Sequence, residues 1–283
     1  MKYDLVDRRC VVTGASTGIG KEIARNLAYF GATVVLASRD RDRGSAALQE
    51  IASDSGNDRI TFMQVDVSSR ASIRSFVRNL TAGGSPVHLL VNNAAVMSPK
   101  RQLSPDGIEL TWATNVLGYY AITAQLMPTL QRCAPARAVF VASTYARGLD
   151  LSDVQYERRR YTGLAAYAQS KQADRMLAWR FAQLAAGDAV GVHACHPGSI
   201  ASELFRDQRG LLGVMLGLGR SLFMKSVREG ALTPTFVAAD PSVGDQTGRF
   251  WIDQAPAPCK FARDGAGIVA LWNKCAEMAQ LDA

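Results

Sequence analysis

Thr13-Gly14-Ala15-Ser16-Thr17-Gly18-Ile19-Gly20 is the stretch whose reading decides the fold. An apolar run at residues 10–13 leads into it, and a helical pattern near residues 18–30 leads out. A strand that passes through glycines into a helix provides a tight turn, close backbone approach and a helix N-terminus aimed at negative charge. A pyrophosphate needs all three. An ordinary strand-to-helix turn would explain the glycines alone, but the strand, the helix and the β–α–β pattern that follows favour a nucleotide site. Gly14, Ser16, Thr17, Gly18, Ile19 and Gly20 are its candidate residues.

Outward from this turn, short β-branched runs alternate with longer helical patterns. Strands are predicted at residues 10–13, 33–37, 60–65, 89–92, 138–142, 190–194 and 250–252, and helices near 18–30, 42–53, 69–81, 105–131 and 164–186. The first six strands are nearly continuous apolar runs, as strands buried on both faces should be. The pattern predicts an α/β fold with one doubly wound, Rossmann-type parallel sheet of about seven strands and helices on both faces. No repeat, linker or low-complexity tract divides the 283 residues, so residues 1–283 read as one domain.

Composition excludes several classes of function. No apolar run is long enough to span a bilayer, which needs about 18 residues or more, and the first residues lack the apolar core of a signal peptide. Five scattered cysteines, without metal-ligand spacing, indicate free thiols, no metal and a cytoplasmic location. The net charge of +7 is dispersed along the chain, which argues against nucleic-acid binding.

The end of the second strand bears on which dinucleotide fits. An acidic side chain there would accept from ribose hydroxyls, whereas an arginine would welcome a 2′-phosphate. Ser38 and Arg39 occupy these positions, with Arg43 one turn on, so NADP(H) is expected in preference to NAD(H). Asp40 argues the other way if the register differs by one. Asp66 and Val67 close the third strand, where Asp66 could meet an adenine edge or cap a helix. Asn93, Ala94 and Ala95 follow the fourth strand, at the sheet edge where ligands of open α/β folds bind.

A second constellation lies downstream. Tyr167 and Lys171, four apart, share one face of a predicted helix. A lysine beside a phenol stabilises the phenolate and makes it a usable proton donor or acceptor. Ser143 ends the fifth strand on the same edge, and Asn115 is a poor helix former in an apolar stretch. A turn-forming serine and a buried structural amide are the plainer readings of the last two.

Taken in order, Thr13 to Gly20, Asp66, Asn92-Asn93-Ala94-Ala95, Asn115, Ser143, Tyr167-Ala168-Gln169-Ser170-Lys171 and His196-Pro197-Gly198 resemble the short-chain dehydrogenases/reductases. The resemblance covers nearly the whole chain and is strongest toward the retinol-dehydrogenase-like branch, which includes relatives of protochlorophyllide reductase. It implies that Tyr167 is the general acid and base, and that Lys171 holds the nicotinamide ribose and lowers the tyrosine pKa. Ser143 would bond the substrate oxygen, and Asn115 would hold a water linked to Lys171. Pro197, Gly198 and Ser199 would meet the nicotinamide amide. A homodimer through the helices near 105–131 and 164–186 is a further implication.

Ser143 and Tyr167 stand 24 positions apart, longer than is usual in the family, with an insertion at about 148–163. A glycine-interrupted apolar segment at about 199–228 corresponds to the family's substrate lid and suggests a small but bulky lipophilic substrate. The reading is hydride transfer to or from its carbonyl or alcohol. Reduction of C=C or C=N, or a non-catalytic NADP-binding sensor, are the alternatives.

Overall fold

The computed structural model describes residues 3–199, 225–244 and 246–281. Eight strands form one sheet: β1 (Arg9–Thr13), β2 (Thr33–Ser38), β3 (Ile60–Gln64), β4 (Leu89–Asn92), β5 (Ala136–Val141), β6 (Val190–His196), β7 (Arg249–Ile252) and β8 (Ala255–Ala257). Their order is β3-β2-β1-β4-β5-β6-β7-β8. All pairs are parallel except β7 with β8.

β8 is one strand more than the sequence pattern predicts. Ala255-Pro256-Ala257 lacks β-branched residues, and its proline is tolerated because the strand lies at an edge. The hairpin before it turns through Asp253 and Gln254, both at positive φ (48° and 62°) without a glycine to announce them.

Helices α1 (Gly18–Tyr29), α2 (Arg41–Ser55) and α7 (Val227–Ala239) cover one face of the sheet through Ile23, Leu27, Ile51 and Val237. The other face carries α3 (Arg70–Leu80), α5 (Gly118–Arg132), α6 (Gly163–Leu184) and α8 (Gly265–Ala279), through Phe76, Leu126, Leu177 and Leu271. In β1, Cys10 and Val12 face the first group while Val11 faces the second, which is why the strands read as unbroken apolar runs.

The helix predicted near 105–131 starts later. Gly107 turns at φ 74°, and the carboxylate of Glu109 caps the short α4 (Leu110–Trp112) by accepting from the amides of Thr111 (2.8 Å) and Trp112 (2.7 Å). A wide π turn, Ala113–Leu117, then joins α4 to α5. The insertion at 148–163 consists of turns, and Gly163 already opens α6. Of the segment at 199–228, residues 200–224 lie outside those described, and Val227 belongs to α7. Among the described residues no helix is long and apolar enough to cross a membrane.

This topology positions the site. β1 lies between β2 and β4, so the chain leaves neighbouring strands β1 and β4 in opposite directions. A crevice forms at their carboxyl ends, and the glycine turn and Asn93 both stand there.

Candidate active site

The glycine turn has the backbone its residues imply. Gly14 and Gly18 hold φ at 65° and 57°, where other residues are strained. A Cβ on Gly14 would lie 2.8 Å from the Cα of Ala94, so the close approach of the two loops needs glycine. Thr17 stands at the N-cap of α1 and makes no side-chain bond to it, leaving the first amides of a long helix uncapped. Ser16 and Ile19 are half-buried beside it, and Gly20 packs against Gly14 O and Asn93. An open helix N-terminus behind a glycine turn fits a pyrophosphate.

Thr13 stitches the two sides of the crevice together. Its hydroxyl accepts from the amides of Asn93 (2.9 Å) and Ala94 (3.1 Å) and reaches Val91 O at 3.4 Å. Asn93 Nδ2 returns a bond to Thr13 O at 3.0 Å. Ala95 continues the same half-buried wall.

At the end of β2, Ser38 is buried while Arg39 is exposed and has no ion pair among the described residues. Asp40 is already committed. It caps α2 by accepting from the Arg43 amide at 3.0 Å and pairs with the Arg43 guanidinium at 3.2 Å. Asp66 does not cap α3 and pairs with no cation among the described residues. It accepts from the amide and hydroxyl of Ser68 at 2.9 and 2.6 Å, while Ser69 caps the helix. Val67 packs against Gly118, where a Cβ would lie 2.6 Å from Val67 O.

The reacting groups meet around the start of α6. Tyr167 is half-buried, and the side chain of Ser143, which accepts from the Tyr145 amide at 3.0 Å, is among the groups that pull its pKa down. Lys171 Nζ lies 5.7 Å from the Tyr167 ring centre and 5.0 Å from that of Tyr119. The ammonium donates to Val141 O at 2.9 Å and to Asp174 Oδ2 at 2.8 Å, which leaves one of its three donors for a further partner. Burial pulls the Lys171 pKa down, but Asp174, joined by Tyr119 and Tyr167, outweighs this and the net direction is up, so the side chain stays charged.

The lowering expected for Tyr167 does not prevail. Burial pushes the phenol up, Lys171 and Ser143 pull it down, Asp174 adds to the rise, and the net direction is up. The pull from Lys171 exists, but the buried carboxylate behind it is a feature the sequence reading omits.

Asn115 sits in the π turn, fully buried. Its Oδ1 accepts from the Val96 amide at 2.8 Å, and its Nδ2 donates to Val96 O at 3.0 Å and to Ser170 Oγ at 2.9 Å. Ser170 in turn donates to Tyr167 O at 2.8 Å. The amide thus ties the loop after β4 to the turn of α6 that carries Tyr167. Pro197 and Gly198 are half-buried after β6, with Gly198 at φ 97°, and Ser199 O accepts from Lys225 N at 2.9 Å.

Comparison with known proteins gives this arrangement a family. The short chain dehydrogenase family model matches residues 8–210. The chain belongs to the short-chain dehydrogenase/reductase family. Polyprenol dehydrogenase of Mus musculus is 38% identical over 274 residues, covering 94% of this chain and 82% of that protein. Retinol dehydrogenase 12 of Homo sapiens is 36% identical over 276 residues, covering 95% and 85%. A crystal structure of an uncharacterised Mycobacterium paratuberculosis protein superposes with a TM-score of 0.79 at 27% identity, covering 99% of this chain and 96% of that one. This short-chain dehydrogenase/reductase is therefore an oxidoreductase of the retinol-dehydrogenase-like branch, a family that binds nicotinamide cofactors.

The sequence reading leaves out several residues that build the site of this dehydrogenase. Thr13 looks like any strand-terminal threonine until β4 is placed beside it. Asp174 lies one helical turn past Lys171 and reads in the sequence as one more polar residue in the run Gln169-Ser170-Lys171-Gln172-Ala173-Asp174-Arg175. Glu109 anchors the insertion. Burial raises its carboxyl, against the amides of Thr111 and Trp112, and the Tyr161 hydroxyl reaches it at 3.2 Å.

Proposed function

We propose that this protein is an NADP(H)-dependent oxidoreductase moving a hydride between nicotinamide and a carbonyl or alcohol carbon of a bulky lipophilic substrate. The observation that carries the reading is the buried Lys171 ammonium 5.7 Å from the centre of the Tyr167 ring, with Lys171 and Ser143 both pulling that phenol's pKa down. The relatives named polyprenol dehydrogenase and retinol dehydrogenase accord with a lipophilic alcohol.

A bound nicotinamide supplies the hydride. The amides at the start of α1 and the Gly14 turn would hold its pyrophosphate, and Arg39 a 2′-phosphate. Tyr167 gives its proton to the carbonyl oxygen during reduction, or takes the hydroxyl proton during oxidation. Ser143 donates to the same oxygen as charge develops there. The third donor of Lys171 would serve a ribose hydroxyl of the nucleotide, while its charge favours the phenolate. Asn115 and Ser170 fix the backbone of Tyr167, and the glycine at 198 would let the chain pass close to the nicotinamide amide. Five free thiols support a cytoplasmic setting.

The test is a titration with NADPH and NADH, followed by a screen of lipophilic aldehydes and ketones with product analysis. Tyr167→Phe should lower kcat by about 10²-fold or more while leaving NADPH binding intact. Wild-type turnover in that variant, or tighter binding of NADH, would remove the corresponding half of the proposal.

A further inference from the structure

The loop after β5, the end of the insertion and the first turns of α6 border an open cavity of about 490 Å³. That is within the range of small-molecule sites. Tyr145, two residues past Ser143, and Ala168, next to Tyr167, both line it, which makes residues of its wall chain neighbours of the reacting groups, though Ser143 and Tyr167 are not among its described lining residues.

The charge of the cavity is one-sided. Of the three consecutive arginines in the insertion, two are turned back on the loop. Arg158 donates to Ser152 O at 2.7 Å, and Arg159 pairs with Asp153 (3.3 Å) and Asp150 (3.5 Å). Arg160 lines the cavity, is exposed, and has no hydrogen bond or ion pair among the described residues. Arg147 lines it from the opposite segment. Its guanidinium stacks 4.6 Å over the Tyr145 ring and donates to that phenol, but meets no carboxylate. None of the described lining residues is Asp or Glu, and the carboxylates of Asp150 and Asp153 in the insertion pair with the third lining arginine, Arg159, and accept from backbone amides. Two uncompensated guanidinium groups, one of them held over an aromatic ring, present the planar donors that suit phosphate and carboxylate.

We propose that this cavity is a subsite for an anionic group, phosphate or carboxylate, carried on the substrate away from the reacting carbon, with Arg147 and Arg160 as its ligands. The substrate class becomes an amphiphile with an oxidisable alcohol or reducible carbonyl and a negative terminus. The inference rests on the assignment of the reaction to Ser143 and Tyr167.

Calorimetric binding of dodecyl phosphate, kept below its micelle concentration, tests the subsite on the full chain, with dodecanol and inorganic phosphate for comparison. Both arginines are exposed, so the Arg147→Ala/Arg160→Ala variant should fold. Dodecyl phosphate should bind wild type at least about tenfold more tightly than dodecanol, as one charge-assisted contact implies, and the double variant should lose that preference. The paired Arg→Lys variant should recover part of it. Equal affinity for both amphiphiles, or no loss in the double variant, overturns the proposal. Inorganic phosphate binding as tightly, with the same loss, marks a free-anion site and overturns the substrate assignment.

A turnover arm compares ω-oxododecanoate with its methyl ester under NADPH. The acid should be favoured about tenfold in kcat/KM in wild type only, with the ester rate unchanged in the variant. Equal rates in wild type count against the proposal. If neither aldehyde reacts while dodecyl phosphate binding stays arginine-dependent, the oxidoreductase reading fails and the anion subsite stands.

Discussion

Lys171 Nζ lies 2.8 Å from Asp174 Oδ2, one turn further along α6, and the two residues are 1% and 0% exposed. Asp174 Oδ1 has no hydrogen-bond partner among the described residues. The ammonium that should favour a phenolate at Tyr167 is thus partly neutralised from behind. Burial pushes the Asp174 carboxyl up to about 7, against the pull of Lys171. Burial is the main cause of the raised Tyr167 pKa and Asp174 adds to it, so Asp174→Asn should lower the pH midpoint of alcohol oxidation. Because a buried ammonium then loses its counter-ion, stability should also fall, by about 3 kcal/mol. A pH–kcat/KM profile with an unmoved or higher midpoint would show that Asp174 does not tune Tyr167.

Arg39 stands free at the end of β2, while Asp40 is consumed by α2 and Arg43. Arg39→Ala should raise the KM for NADPH about tenfold and leave that for NADH nearly unchanged, as loss of one charge-assisted phosphate contact implies. Steady-state kinetics with both cofactors check this. An equal effect on the two would assign Arg39 to general surface charge.

Thr13 holds the amides of Asn93 and Ala94 from a strand end that is 1% exposed. Thr13→Val keeps the shape and removes the acceptor, stranding two amides at a cost of about 2–4 kcal/mol. Chemical denaturation should show that loss, and cofactor affinity should weaken with it. Thr13→Ser should restore both.

His193 is fully buried, and its Nδ1 accepts from the Trp251 indole at 3.2 Å. Burial, helped by the Arg137 charge, lowers its pKa from 6.5 to about 4. The folded state therefore keeps the ring neutral where the unfolded chain would protonate it. The corresponding stability is intact above pH 6.5 and is lost as pH falls toward 4, a loss on the order of 3 kcal/mol. His196, lowered by burial in the same way to about 4, adds to the slope. Thermal unfolding from neutral to acid pH should be less steep in His193→Gln. An unchanged slope would place the acid sensitivity elsewhere.

The parts legible in the sequence are those whose chemistry is local. The Gly14 turn declares itself because strand, glycines and helix are contiguous, and Tyr167 with Lys171 because one helical turn joins them. Parallel strands showed as apolar runs because both sheet faces are covered. What escaped depends on partners far along the chain. Thr13 acquires its meaning from Asn93, and Asn115, itself a candidate in the sequence, finds its partners Val96 and Ser170 only in the fold. Helix α7 carries Pro234 in its interior, which reads as a breaker, and β8 carries Pro256, which only an edge strand tolerates. Asp174 was within one turn of a chosen residue, yet only its burial shows that it opposes the effect expected of Lys171.

The insertion between Ser143 and Tyr167 is held chiefly by its own bonds. The Asp153 carboxylate accepts from the amides of Glu157 and Arg159 at 2.8 and 2.9 Å, and Arg159 closes the ring. Burial would raise this carboxyl, but those amides and that of Arg158 outweigh it and hold it down to about 2. Outward ties also fasten it to the body, among them Gln169 to Val154 O at 2.8 Å, Arg101 to Gln155 O at 2.8 Å, Tyr161 to Ser98 O at 3.0 Å and to Glu109 at 3.2 Å, and the Glu109 amide to Gln155 Oε1 at 3.2 Å. Such a loop behaves as a cassette. Grafted between relatives with its Asp153 ring and docking residues kept together, it should carry its selectivity along without asking the recipient's hydride-transfer machinery to be rebuilt.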